Sequence, residues 1–311
     1  KMLPAVGLVR PERIMTVAIG TTVVDDTFAE AFPMKFTRLV ITAHDDHWLQ
    51  AAVRECSGYA ASVIACDAEV GVESWLSAAE TPDQRPGVAL LLFGFSSDGL
   101  AKATSNRTGQ CLMTCPTTAV FNGLPEAAKR FPLGKHLRFF GDGFQKSKVL
   151  DEVRYWRVPV MDGEFLVEES LGYAEGVAGG NFILQAVESA IALDAARQAV
   201  EAIQAVPGVI TPFPGGVARS GSKVGSKYKQ LPASTADAFC PTLRGRVESM
   251  LHPDANTAYE IVIDGVDEAA VAQAMVTGMR AAAGEGIVAI SAGNYGGKLG
   301  KYQFRLHELL A

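Results

Sequence analysis

One acid near the start of an apolar strand best suits proton transfer. In the segment YEIVIDG, residues 259–265, the two-residue period of a strand sends Glu260, Val262 and Asp264 to one face, and Tyr259, Ile261 and Ile263 to the other. Alternation alone reads Glu260 first as an acid facing solvent. Turned into a cleft instead, it loses water, its pKa rises, and it becomes suited to general acid and base work near neutral pH.

Three glycine-rich segments share the same half of the chain: GVAGGNF (176–182), PFPGGVARSGSKVGSKYK (212–229) and SAGNYGGKLGKY (291–302). Glycine lets backbone N–H groups converge on an anionic or developing negative oxygen. No GxxxxGK[ST] is present and no GxGxxG opens a helix after a strand, which removes the nucleotide-binding fingerprints. An isolated glycine-rich loop is more often a turn than a site. Three together, two of them carrying lysines, point to a site. Arg219, Lys223, Lys227, Lys229, Lys298 and Lys301 make these segments basic in a chain whose total is acidic. That suits a carboxylated or phosphorylated ligand tail, although any single lysine reads equally as solvated loop charge.

Other candidates are weaker. His44 and His47 in TAHDDHW have a spacing that metal ligands use, but no second His/Cys cluster completes four ligands, and Asp45 or Asp46 reads better as a helix start. Cys111 and Cys115 read as small buried residues on one face of a strand. There is no GxSxG elbow, so covalent catalysis has no support.

These groups need a scaffold, and the chain supplies one twice. In the first half a strand RLVITA (38–43), a helix AAVREC (51–56), a strand SVIAC (62–66), a strand VALLLFG (88–94), a helical stretch and a strand QCLMTC (110–115) follow in order. The second half answers with NFILQA (181–186), an Ala-rich helix over 193–206, GVITPF (208–213), YEIVIDG, a helical stretch and IVAIS (287–291). A β-α-β-β-α-β unit occurring twice predicts an α+β fold of two ferredoxin-like (split βαβ) lobes related by an internal pseudo-repeat. The expected divisions are an N-terminal extension over 1–23, a first lobe over 24–158 with an irregular excursion over 121–158, and a second lobe over 159–311. Within the excursion, FFGDGFQ (139–145) predicts a tight positive-φ turn suited to a subunit interface or pocket wall.

Bulk composition excludes several classes. The 311 residues are 48% hydrophobic, enough for a full core, yet the longest apolar runs are too short to cross a bilayer. Acidic residues outnumber basic ones by 34 to 28, giving no reason to expect nucleic acid or an anionic membrane as partner. Five cysteines, an odd number in a chain this long, fit the reducing cytoplasm rather than a disulfide framework.

The segments DDTFAEAF, ETPDQRPGV, GQCLMTCPT, FFGDGFQ, GVAGGNF, PFPGGVARSGSKVGSK, LPASTADAFCPT, YEIVIDG and ISAGNYGGKLG together resemble the formylmethanofuran:tetrahydromethanopterin formyltransferase family. The resemblance runs from about Val24 to the C-terminal HELLA and leaves out the stretch near 244–256. It implies reversible transfer of a formyl group between the amine of methanofuran, or a methylofuran-type carrier, and N5 of tetrahydromethanopterin, with no metal or prosthetic group. It also implies two ferredoxin-like lobes, a homodimer or homotetramer with clefts at subunit contacts, and, in bacteria, a complex with hydrolase subunits. The family's catalytic glutamate matches Glu260. Gly179, Gly180, Asn181 and Asn294 are then the expected oxyanion-side residues, and Arg219, Lys223, Lys227 and Lys298 the expected holders of carrier tails. Two other readings keep the fold and drop the chemistry: a non-catalytic carrier-binding subunit of a formyltransferase/hydrolase complex, and a small-molecule sensor.

Overall fold

The computed structural model describes residues 17–311; the earlier part of the N-terminal extension lies outside the described residues. The chain is α+β, with a large mixed sheet and few helices. In the first half the elements are strand Phe28–Thr42, helix Asp46–Ser57, strands Glu69–Leu76 and Gly87–Gly94, helix Ser97–Arg107 and strand Ala119–Asn122. Gly87–Gly94 lies between Glu69–Leu76 and Phe28–Thr42, and Phe28–Thr42 pairs on its other side with Ala119–Asn122. Every residue of the GVALLLFG strand is buried, as an unbroken apolar run requires of a central strand covered on both faces.

The second half follows the same order. Strand Ser170–Ala186, helix Ser189–Gln204, strands Val209–Ile210 and Thr257–Gly265, helix Glu268–Ala282 and strand Ile287–Ser291 succeed one another. Thr257–Gly265 lies between Val209–Ile210 and Ser170–Ala186, which pairs in turn with Ile287–Ser291. Ile261 and Ile263 pack with Phe182 and Leu184 under the two helices, whose Ala192, Ala196 and Ala199 permit close approach. The starts of helices Asp46–Ser57 and Glu268–Ala282 are set by Asp45 and Asp267, which accept from the N–H groups of Trp48 and Ala270. The two halves join through their long first strands, antiparallel from Ala174 opposite Phe36 to Ala178 opposite Phe32.

Several expected elements differ. SVIAC is a turn, because the N–H groups of Ala65 and Cys66 both return to the Ser62 carbonyl; the strand forms later, at Glu69–Leu76. Tertiary pairing overrides the β-branched composition there. QCLMTC is not a strand either: the helix runs on through Thr108–Leu112 in a widened turn, and Ala119–Asn122 supplies the last strand. Cys111 lies in that widened turn and Cys115 in the turn that follows it, both half-buried.

The middle stretch is more regular than composition suggests. Strands Lys146–Leu150, Val153–Val160 and Gly163–Glu168 form an antiparallel meander, and Val158, Phe165 and Val167 enter the first half's core. In FFGDGFQ, Asp142 (φ 49°) and Gly143 (φ 90°) make the positive-φ turn, while Phe139, Phe140 and Phe144 are exposed. Residues 17–23, grouped by sequence with the extension, form a hairpin whose Thr22–Val24 strand pairs in parallel with Ile287–Ser291.

Gly180 reports how closely the helix Glu268–Ala282 sits on the sheet. A Cβ added there would stand 2.2 Å from Cγ1 of Val271. Gly180→Ala is therefore expected to cost about 1–3 kcal/mol by overpacking. An unchanged urea midpoint would contradict this packing.

Candidate active site

Glu260 leaves its strand on the face opposite the helices. Its backbone exchanges two hydrogen bonds with Ala218, at 2.8 and 3.1 Å, so residues 218–221 lie along the strand and wall one side of the carboxyl group. The other wall is Gly293: a Cβ there would stand 3.3 Å from Oε1, and one on Gly221 3.7 Å from Oε2. The acid thus sits in a slot between two glycines, in a pocket that Ile183, Arg219, Ala236, Phe239 and Cys240 also line.

Among the described residues four carboxyl groups are held above the ordinary carboxylate range, each first by burial: Glu69, Glu168, Glu260 and Asp264. Glu69, Glu168 and Asp264 each accept a backbone N–H, from Val63, Asn122 and Gly179 respectively. Among the described residues no donor reaches either oxygen of Glu260, whose pKa burial raises to about 7. Half-buried at the floor of a cleft, this carboxyl can both give and accept a proton near neutrality.

The surrounding frame uses many of the expected site residues in ways alternation could not show. Asn181 is buried on the Glu260 side of the sheet; its Nδ2 donates to the carbonyls of Gly179 and Gly293, and its Oδ1 accepts from Gly293 N–H at 2.6 Å. Asn294 donates to Thr27 Oγ1 and the Phe28 carbonyl and accepts from Gly296 N–H. Both amides are engaged by the protein itself. Gly179 (φ 91°) forms a bulge, with its N–H on Asp264 Oδ1, and Gly180 turns toward Val271 under the helices, away from the cleft.

Of the expected basic residues, Arg219 lines the Glu260 pocket. Lys223 and Lys227 lie exposed further along the same segment, where Lys223 pairs with Asp237, and Lys298 is exposed on the facing loop. His44 and His47 are exposed beside the Asp45 cap, and among the described residues no three His, Cys, Asp or Glu side chains gather as a metal site would need.

Glu30 escaped the sequence reading. Only 1% exposed, it accepts four backbone N–H groups: those of Tyr295 (2.7 Å) and Gly297 (2.8 Å) on Oε2, and of Leu299 (2.6 Å) and Gly300 (2.5 Å) on Oε1. Burial pushes its pKa up, but these four bonds more than offset that and hold it below the ordinary value. Its one signal in the sequence is an acid flanked by apolar residues in the strand FAEAF.

A family model described as formylmethanofuran–tetrahydromethanopterin formyltransferase matches residues 17–160, and one for the proximal lobe of the same enzyme matches 163–309. The formylmethanofuran–tetrahydromethanopterin formyltransferase of Methylococcus capsulatus is 54% identical over 93% of this chain and 98% of its own. The solved structure of a formylmethanofuran:tetrahydromethanopterin formyltransferase from Methanosarcina barkeri is 47% identical, superposes with a TM-score of 0.90, and covers 94% of this chain and 100% of its own. The formyltransferase/hydrolase complex of Methylorubrum extorquens, solved with methylofuran, contains a chain 47% identical with a TM-score of 0.92, covering 95% of this chain and 99% of its own. With both halves matched, and with near-full-length relatives at about half identity, this chain belongs to the formylmethanofuran–tetrahydromethanopterin formyltransferase family.

Proposed function

We propose that the chain passes a formyl group reversibly between the amine of a methanofuran- or methylofuran-type carrier and N5 of tetrahydromethanopterin, with Glu260 as the proton-transferring catalytic residue. N5 attacks the formyl carbon, the C–N bond forms, and the carbonyl becomes a tetrahedral oxyanion. Glu260 takes the proton from the attacking nitrogen and gives it to the departing one, so the old C–N bond breaks to release a neutral amine. The observation that carries this reading is a carboxyl of raised pKa, free of donors, in a slot between two glycines. Residues 293–300 offer two backbone donors with no protein partner among the described residues, the N–H groups of Asn294 and Lys298, for the oxyanion. No metal or prosthetic group takes part in these steps.

The purified chain, given the formylated furan carrier and tetrahydromethanopterin, is expected to form the N5-formyl pterin. Binding of both carriers without product would overturn the proposal and return the chain to a carrier-binding role. Carrier tails fall to Arg219, Lys223, Lys227 and Lys298. Lys223→Ala should raise KM for a carrier with its anionic tail and leave a tail-less analogue unaffected; equal effects on both would exclude tail binding.

The matching strand order of the halves supports reading each as a ferredoxin-like lobe of a pseudo-repeat, with the division near residue 160. Assembly as a homodimer or homotetramer, or with hydrolase subunits as in the Methylorubrum relative, fits the exposed Phe139, Phe140 and Phe144. A cytoplasmic setting fits free cysteines. Among the described residues no helix is long and apolar enough to cross a membrane.

A further inference from the structure

We propose that Glu30, on the first strand of the first half, is the positioning residue that folds the 291–301 segment of the second half against Glu260. The proposal rests on the reading that Glu260 carries the transferred proton.

The segment leaves strand Ile287–Ser291, crosses the cleft and returns as strand Tyr302–Arg305, where Gln303 lies opposite Glu30. Between these points it has no regular structure, and Gly296 and Gly297 take positive φ of 72° and 69°. The buried Glu30 carboxylate gathers its N–H groups in two pairs, one pair on each oxygen. Among the described residues no Lys or Arg forms an ion pair with Glu30, so its charge is met by these backbone dipoles and only while the segment keeps this shape. Anion and loop conformation therefore depend on each other.

The held loop reaches the reacting acid directly. Gly293 O accepts from the backbone N–H of Glu30 at 3.2 Å and from Asn181 Nδ2 at 3.1 Å, so one glycine is pinned from both halves of the chain. That glycine is the wall at which an added Cβ would stand 3.3 Å from Glu260 Oε1. On the far side Ser222 Oγ meets the Tyr295 hydroxyl at 3.4 Å, linking the loop that Glu30 holds to the segment that carries Gly221. The two walls of the slot are thus tied to each other. Arg219, Cys240 and Tyr259 also line the pocket, and none donates to Glu260. Its desolvation is accordingly a property of where the walls stand.

Glu30→Gln in the full-length protein tests this. The amide preserves shape, but its Nε2 faces two N–H donors where an oxygen stood, so at least one pair of loop bonds is lost. The expected result is a fall in kcat of about 100-fold, as a misplaced reacting group produces, with smaller changes in KM for either carrier. Carboxyl ¹³C titration, with the Glu260 signal assigned by its loss in Glu260→Gln, should move from about 7 toward the ordinary carboxylate range as water enters the slot. Should the Gln variant not fold, Glu30→Asp, which keeps the charge but is too short to hold both pairs of donors, is read the same way. A lowered melting temperature with wild-type kcat per folded molecule and an unmoved titration would overturn the proposal. If Glu260→Gln itself keeps full turnover, the catalytic reading of Glu260 fails. A moved titration in the Glu30 variant still supports the positioning role in that case.

Discussion

Replacing Glu260 with Gln lowers turnover by roughly 10²- to 10⁴-fold while both carriers still bind. The amide keeps the volume and the two-fold shape of the side chain, so the slot between Gly221 and Gly293 remains filled. What disappears is a group that can hold a proton between its removal from one nitrogen and its delivery to the other. An aliphatic amine leaves a tetrahedral carbon easily only when protonated, and the variant must wait for water to supply that proton. The loss therefore falls on kcat, with KM for each carrier near its wild-type value.

The pH dependence gives a second measurement of the same residue. Burial raises the Glu260 pKa to about 7, so the wild-type rate should bend near that pH, and Glu260→Gln should flatten the bend. Single-turnover rates measured across this range decide the matter. A variant within a few-fold of wild type, or one that keeps the bend near pH 7, would remove Glu260 from the chemistry.

Period-two alternation was enough to put Glu260, Val262 and Asp264 on one strand face, because a strand packed against helices on its other face has no freedom to slip register. The repeated order of elements was legible for the same reason. Alternation failed at residues 62–66 and 110–115, where short β-favouring compositions are claimed by a turn and by a helix extension that only tertiary contacts specify. Composition marks the glycine-rich segments but not the separate tasks of their residues. Gly180 is glycine to admit Val271, and Asn181 and Asn294 spend their amides on backbone groups. Glu30 was invisible because its partners lie some 270 residues away, at Tyr295 to Gly300, and a carboxylate that binds backbone N–H groups needs no complementary side chain to betray it.

Replacing Asp264 with Ala is expected to destabilise the protein by about 3–5 kcal/mol, as breaking one side of a buried pair does. Asp264 is fully buried on the second half's strand, and the carboxyl of Glu69, on the first half's strand Glu69–Leu76, lies close enough to shift its titration. Burial first and then the neighbouring Glu69 charge raise the Asp264 pKa well above its ordinary value, and burial raises Glu69 as well, so the pair keeps a proton, which Asp264 is expected to donate to Glu69. Asp264 also accepts the Gly179 N–H at 3.0 Å, at the bulge whose carbonyl Asn181 holds. The Ala variant leaves that N–H without a partner and takes the neighbouring carboxyl from Glu69, which keeps the Val63 N–H. Asp264→Asn behaves differently: its oxygen still accepts from Gly179, and its nitrogen donates to Glu69 at every pH. Because both folded pKa values lie above the unfolded ones, the pair's contribution is full below the ordinary carboxylate range and is lost as pH rises through the raised folded values. Wild-type stability should thus fall from about pH 5 toward about pH 9, and Asp264→Asn should reduce that slope, since only Glu69 is then left to titrate. Urea unfolding at both pH values separates the cases: an Ala variant as stable as the Asn variant, or a wild type whose stability rises with pH, would mean that the two halves are not joined through a shared proton.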